Sequence, residues 1–167
     1  MGATVSATSE PAGAGLPEAG GAGAAEVPEG AFAAAREFID GVTWGDHRKV
    51  WDLLAGEGRA AVLEVASARG MDDAQVIRLR EGTGSEAETD EFLVDLVNGL
   101  RADLAGNDLD SLEYHADALP TEAGQANVVI HVPLHPALGG TLPVATLQLL
   151  DEAGTWRVER LVPFTSK

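Results

Sequence analysis

The chain contains no cysteine in its 167 residues, which excludes disulfides, thiolate nucleophiles and cysteine-based zinc sites. It is also short of positive charge, with 11 Lys and Arg against 27 Asp and Glu and a formal net charge of -16. No basic stripe offsets that balance, so nucleic acid and anionic membrane are excluded as main partners, because both are held by clustered cations that displace counterions. No run approaches the roughly 18 apolar residues of a membrane span, and the N-terminus lacks the cationic start and apolar core of a secretory signal. The expected compartment is therefore the cytoplasm, and the Ala- and Gly-rich, Arg-over-Lys usage points to a bacterial source. Gly-x-Ser-x-Gly, Gly-x-Gly-x-x-Gly and phosphate-loop patterns are missing too. No cofactor and no metal are expected.

What is present divides into a tail and one domain. Residues 1–27 are Gly, Ala, Pro, Ser, Thr and Glu with scarcely a large apolar side chain, and such a composition cannot offset the entropy of ordering. A disordered tail is expected there, followed by a single domain over 28–167. From Pro28 onward, Phe32, Ala35, Phe38, Ile39 and Val42 recur at helical spacing. Gly45 breaks this first helix, Asp46 caps a second, and Val50, Trp51, Leu53 and Leu54 carry the second apolar face. The stretch FIDGVTWGDHRKVWDLL (Phe38 to Leu54) thus reads as an elbow, with His47 a solvated residue in the first turn. Residues 58–69, a short piece capped by Asp72 or Asp73, and a longer piece from about Glu86 to Ala105 continue the helical pattern.

After Asn107 the period becomes alternating, and four strands follow: LEYHADAL, NVVIHVPL, LPVATLQLL and TWRVERLVPF. With DEAG as the hairpin loop, Leu149 is expected opposite Trp156 and Leu147 opposite Val158. The inner face then reads Leu112, Tyr114, Ala116; Val128, Ile130, Val132, Leu134; Ala145, Leu147, Leu149; and Trp156, Val158, Val162. Strict alternation also turns Arg160 inward, where a guanidinium needs a carboxylate, a ligand or a route to the rim. The outer face receives His115, His131 and His135, with Val129, Val144 and Leu161 as an apolar patch suited to a homodimer interface. His131 and His135 lie about 13 Å apart along one strand. His131 approaches His115 instead, and a solvated or interfacial role is the plainer reading of that pair than a metal site.

A helix ending in FIDGVTWGD, a second running KVWDLL, a later helix, and a sheet closing with WRVERLVPF resemble the nuclear transport factor 2-like superfamily, which includes ketosteroid isomerase-like and SnoaL-like proteins. The resemblance implies an α+β fold, helices packed on a strongly curved antiparallel sheet in a cone-shaped, cystatin-like arrangement. It also implies a pocket between the layers and dimerisation through the outer sheet face. The expected function is a small-molecule-binding or dimerisation module with an apolar pocket for a small hydrophobic molecule. The alternative is an isomerase, dehydratase or cyclase acting by general acid-base chemistry on a polyketide- or steroid-like substrate. Candidate catalytic residues are Asp40, Asp52 and Tyr114; candidate ligand-binding residues are Arg160, Tyr114, Trp156, Trp44 and Trp51.

Overall fold

The computed structural model describes residues 26–119 and 121–164. Apart from Glu26 and Val27, the expected tail lies outside the described residues. Val27 is partly buried against the core. Among the described residues the fold is α+β: five α-helices followed by a four-stranded antiparallel sheet in the order β1-β2-β3-β4. No helix of the described residues is long and apolar enough to cross a membrane.

Helix α1 (Glu29–Trp44) buries Ala31, Ala35, Phe38, Ile39 and Val42, the stripe its spacing requires. It stops at Gly45, whose φ of 76° is the left-handed conformation that glycine adopts without a Cβ penalty. Asp46 then caps α2 (His47–Leu53), its carboxylate accepting from the Lys49 N–H at 3.2 Å. The elbow reading of this stretch is therefore correct. It closes tightly because position 41 has no side chain: a Cβ there would lie 2.8 Å from Val50 Cγ2. His47 is less solvated than expected, with Nε2 3.3 Å from the Asp90 carboxylate.

Helices α3 (Gly56–Ala68), α4 (Asp73–Glu81) and α5 (Glu86–Asp103) complete the helical half. Asp72 caps α4, and Ser85 with Glu88 forms a reciprocal capping box on α5. The α4–α5 break is bridged by Arg78 and Glu88 at 2.5 Å. That guanidinium, followed by the capping hydrogen bond from Ser85, holds the Glu88 carboxyl below its ordinary value. Arg101, near the end of α5, reaches across to α1: its Nε donates to the Val42 carbonyl at 2.8 Å and its Nη2 to the Thr43 carbonyl at 2.7 Å. Both acceptors sit in the last turn of α1, where carbonyls lack helical partners.

The strands are β1 (Glu113–Ala116), β2 (Gln125–Pro133), β3 (Thr141–Glu152) and β4 (Thr155–Pro163). Ala126, Val128, Ile130, Ala145, Leu147, Leu149 and Val158 are buried on the face that α1 and α3 cover, while His115 and His131 lie on the other. Two details of pairing correct the sequence expectation. The β3–β4 turn has only two residues, Ala153 and Gly154, with φ of 54° and 85°. Positive φ at both central positions gives a turn whose twist matches that of the flanking strands. Leu149 therefore faces Val158 rather than Trp156. The shift is even, so those residues keep their face.

A bulge then reverses parity. Val158 pairs with Leu149, but the next pair is Arg160 with Gln148, leaving Glu159 as an extra residue. Beyond it Leu161 turns inward opposite Leu147 and packs against the core, while Arg160 turns outward and is exposed. Arg160 is thus not an inner-face cation, and Val162, 38% exposed, is not an inner-face apolar residue. A second irregularity beside Ile130 and His131 leaves Val144 packed against the core. Of the expected outer patch of Val129, Val144 and Leu161, two members belong to the interior instead.

Among the described residues the interior consists of two apolar clusters. One lies between α1 and the sheet; the other joins Leu63, Val76, Leu79, Phe92 and Leu93 of α3, α4 and α5. Trp51 packs against both and meets Phe92 edge-to-face, the ring centroids 5.6 Å apart.

Candidate functional site

Two concavities are bordered by candidate residues. The larger is a groove of about 860 Å³ between α3 and α5, closed at one end by β4. Its position depends on the β4 bulge. The Ala55 N–H donates to the Val158 carbonyl at 2.7 Å, which ties the start of α3 to the strand. Gly58, in the first turn of α3, approaches so closely that a Cβ would stand 2.6 Å from the Glu159 carbonyl oxygen and 3.0 Å from that of Val158. The parity switch then brings Leu161 into the groove lining, beside Phe38, Val62, Phe92, Leu96 and Leu100. Charged residues border this apolar floor: Glu91, Asp95, Asp103 and Glu159, with Arg69 and Arg160. Among the described residues none of these six takes part in an ion pair.

The smaller cavity, about 480 Å³, lies where α1 meets the edge strand β1 and is bordered by Arg36, Asp40, Asp110, Glu113, Tyr114 and His115. Arg36 and Asp40 stand one turn apart on α1, and the Arg36 guanidinium lies 5.7 Å from the Tyr114 ring centroid. Burial pushes the Tyr114 hydroxyl up to about 12, the charge of Asp40 adds to the rise, and Arg36 opposes it. The phenol is therefore neutral across the physiological range and available as a hydrogen-bond donor. On the outer face nearby, the rings of His115 and His131 approach to 4.4 Å between centroids. Partial burial and then the neighbouring His115 lower the His131 pKa, against the pull of Glu113. His115 Nε2 lies 3.2 Å from Glu113, and His131 Nδ1 lies 2.8 Å from the Thr141 hydroxyl. Among the described residues no group of three or more His, Cys, Asp or Glu side chains could hold a metal ion.

The sequence candidates separate accordingly. Asp40 and Tyr114 meet at the smaller cavity. Asp52 does not join them: its side chain is 81% exposed, its carboxylate is 4.0 Å from Arg59, and its carbonyl accepts from Arg157 and Arg59. Trp44 is 77% exposed just before the elbow. Trp51 is a packing residue, with the Arg59 guanidinium 5.2 Å from its ring centroid. Trp156 faces the helices as expected but lies against α1, where a Cβ on Gly30 would fall 2.8 Å from its Cδ1. Neither of these two tryptophans borders either concavity. Arg160 borders the groove from an exposed position, not from inside the sheet.

Sequence reasoning does not find the groove residues of α3 and α5, because Val62, Phe92 and Leu96 give the same amphipathic signal whether they meet a core or a cleft. One signal is available. Gly99 sits inside α5, where glycine costs roughly 1 kcal/mol relative to alanine, yet nothing lies within 4 Å of the Cβ it lacks. Packing does not account for it, and it borders the groove. Comparison of the chain with protein-family models, with curated proteins and with solved structures finds no match.

Proposed function

We propose that this protein is a small-molecule-binding module of the nuclear transport factor 2-like type, and that its site is the groove between α3 and α5. The observation that carries the reading is the combination of size and floor. A concavity of about 860 Å³ lined by Phe38, Val62, Phe92, Leu96, Leu100 and Leu161 has the scale and apolar character of ligand clefts, which run to roughly 300–1,000 Å³. The order of elements, helices first and an antiparallel meander last, supports the family assignment. A homodimer through the open sheet face would use Val129, Leu150 and Val162 in place of the patch expected from alternation.

Nile red, a neutral apolar dye whose emission rises out of water, tests the site. Saturable uptake of about one dye per chain is expected. Gly99→Phe should weaken it at least about tenfold by filling the groove, a loss equal to roughly 1.4 kcal/mol. Gly99→Ala should keep the fold and gain about 0.5–1 kcal/mol, since it removes unfolded-state entropy at an unobstructed helical position. Undiminished uptake by Gly99→Phe would overturn the assignment.

One observation favours a second reading, acid-base catalysis at the smaller cavity: Asp40 and a neutral Tyr114 border the same space. There Asp40 would serve as the base and Tyr114 as the donor to a developing oxyanion. Ketosteroid isomerases offer the parallel, a carboxylate base set beside hydrogen-bond donors in an apolar site. Under that reading Tyr114→Phe would impair binding or turnover while Gly99→Phe would not.

A further inference from the structure

We infer that the groove takes a cationic amphiphile, a small apolar body carrying a protonated amine; this rests on the groove being the ligand site. The floor selects for an apolar body, and the border decides its charge. Four carboxylates, Glu91, Asp95, Asp103 and Glu159, stand against two guanidinium groups, Arg69 and Arg160, an excess of two negative charges. None of the six is committed to an ion pair among the described residues. Their fields therefore act on whatever enters, and a low-dielectric apolar wall beneath them focuses that field.

The arrangement along α5 is more specific than the total. Glu91, Asp95, Gly99 and Asp103 follow one another at four-residue steps, about 6 Å of rise per step, all on the groove border. The single interruption is Gly99, where there is open space in place of a side chain. An apolar body lying over Gly99 would place its ammonium group within reach of Asp95 or Asp103. An anionic ligand would meet both carboxylates and would lose more in repulsion than Arg69 or Arg160 returns. The volume of about 860 Å³ lies within the range of small-molecule clefts.

Two charged dyes of similar size separate the cases: auramine O, a cation, and 1-anilinonaphthalene-8-sulfonate, an anion. Auramine O should bind saturably and compete with Nile red, and the sulfonate should bind at least about tenfold more weakly. Asp95→Asn with Asp103→Asn should weaken auramine O about three- to tenfold, the scale of two partly solvated charge contacts, and strengthen the sulfonate. Glu81→Gln with Glu122→Gln, which removes the same charge from positions off the groove, should change neither dye by more than about twofold. Equal losses in the two double variants would show that only the overall charge matters and would overturn the inference. Nile red uptake that Gly99→Phe abolishes, with no preference between the charged dyes, would sink the amine while leaving the groove. If Gly99→Phe spares all three dyes, the groove itself is wrong. Binding confined to a basic amphipathic peptide would assign the cleft to a protein partner and would equally overturn it.

Discussion

Gly58→Val is expected to destabilise the protein by about 3 kcal/mol or more, at the upper end of what overpacking costs. The reason lies in what the new side chain meets. Its Cβ would fall 2.6 Å from one backbone carbonyl oxygen and 3.0 Å from another, both on β4. A flexible side chain could swing aside, but a strand held on its other edge by β3 cannot. The first turn of α3 must lift from the sheet, which stretches the 2.7 Å bond between the Ala55 N–H and the Val158 carbonyl. Even Gly58→Ala should be destabilising, although alanine is the better helix former. That is the reverse of the expectation for Gly99→Ala, and the two glycines differ only in their surroundings. Urea titrations read this directly: a lower midpoint at unchanged m-value reports a true stability loss. Gly58→Val with wild-type stability would mean that α3 does not dock on the bulge.

Arg101→Met should cost about 2–3 kcal/mol, the range for hydrogen bonds that involve a charged group and leave partly buried acceptors unpaired. Methionine keeps the apolar stem of the side chain but cannot donate to the carbonyls of Val42 and Thr43, which now receive Nε and Nη2 at 2.8 and 2.7 Å. These carbonyls end α1, so a guanidinium there also opposes the negative end of the helix dipole. Arg101→Lys should recover part of the loss, since an ammonium supplies the charge without the planar fork that serves two acceptors. The check is again the urea midpoint, compared across the three proteins. If Arg101→Met loses less than about 0.5 kcal/mol, water replaces the guanidinium on those carbonyls at little cost.

Helix order, the Gly45–Asp46 elbow and the sheet's first two strands are legible because each rests on local chemistry. Caps, a left-handed glycine and strict alternation all announce themselves within a few residues. The last strand obeys alternation up to Val158 and departs from it afterwards. The sequence carries a mark of that departure: Glu159 and Arg160 are consecutive polar residues followed by the consecutive apolar Leu161 and Val162. Alternation carried through that break produces an inward arginine, and the bulge removes it. The β3 irregularity carries no such mark, since Leu142, Pro143, Val144 and Ala145 are all apolar and any parity satisfies them.

The candidate site divides along the same line. Helix edge and strand parity point to Asp40 and Tyr114 separately, and the fold brings them to one cavity. Asp52 fails for a geometric reason, because α2 turns its exposed edge away from both concavities. Trp51 fails for an energetic one: an aromatic at the junction of two clusters stabilises more by packing than by facing a cleft. The groove's one local signature is Gly99, a helix-interior glycine that no packing contact requires. Its walls are set by long-range contacts, among them α3 against the β4 bulge at Gly58 and α5 against α1 through Arg101.

Hydrogen–deuterium exchange on the full chain, with and without saturating Nile red, tests the groove most directly. Slowed exchange confined to peptides spanning 56–71 and 91–103 is the expected result. Slowed exchange in 36–40 and 110–115 instead, with α3 and α5 unaffected, would move the site to the Tyr114 cavity and contradict the reading of this protein as a groove-binding module.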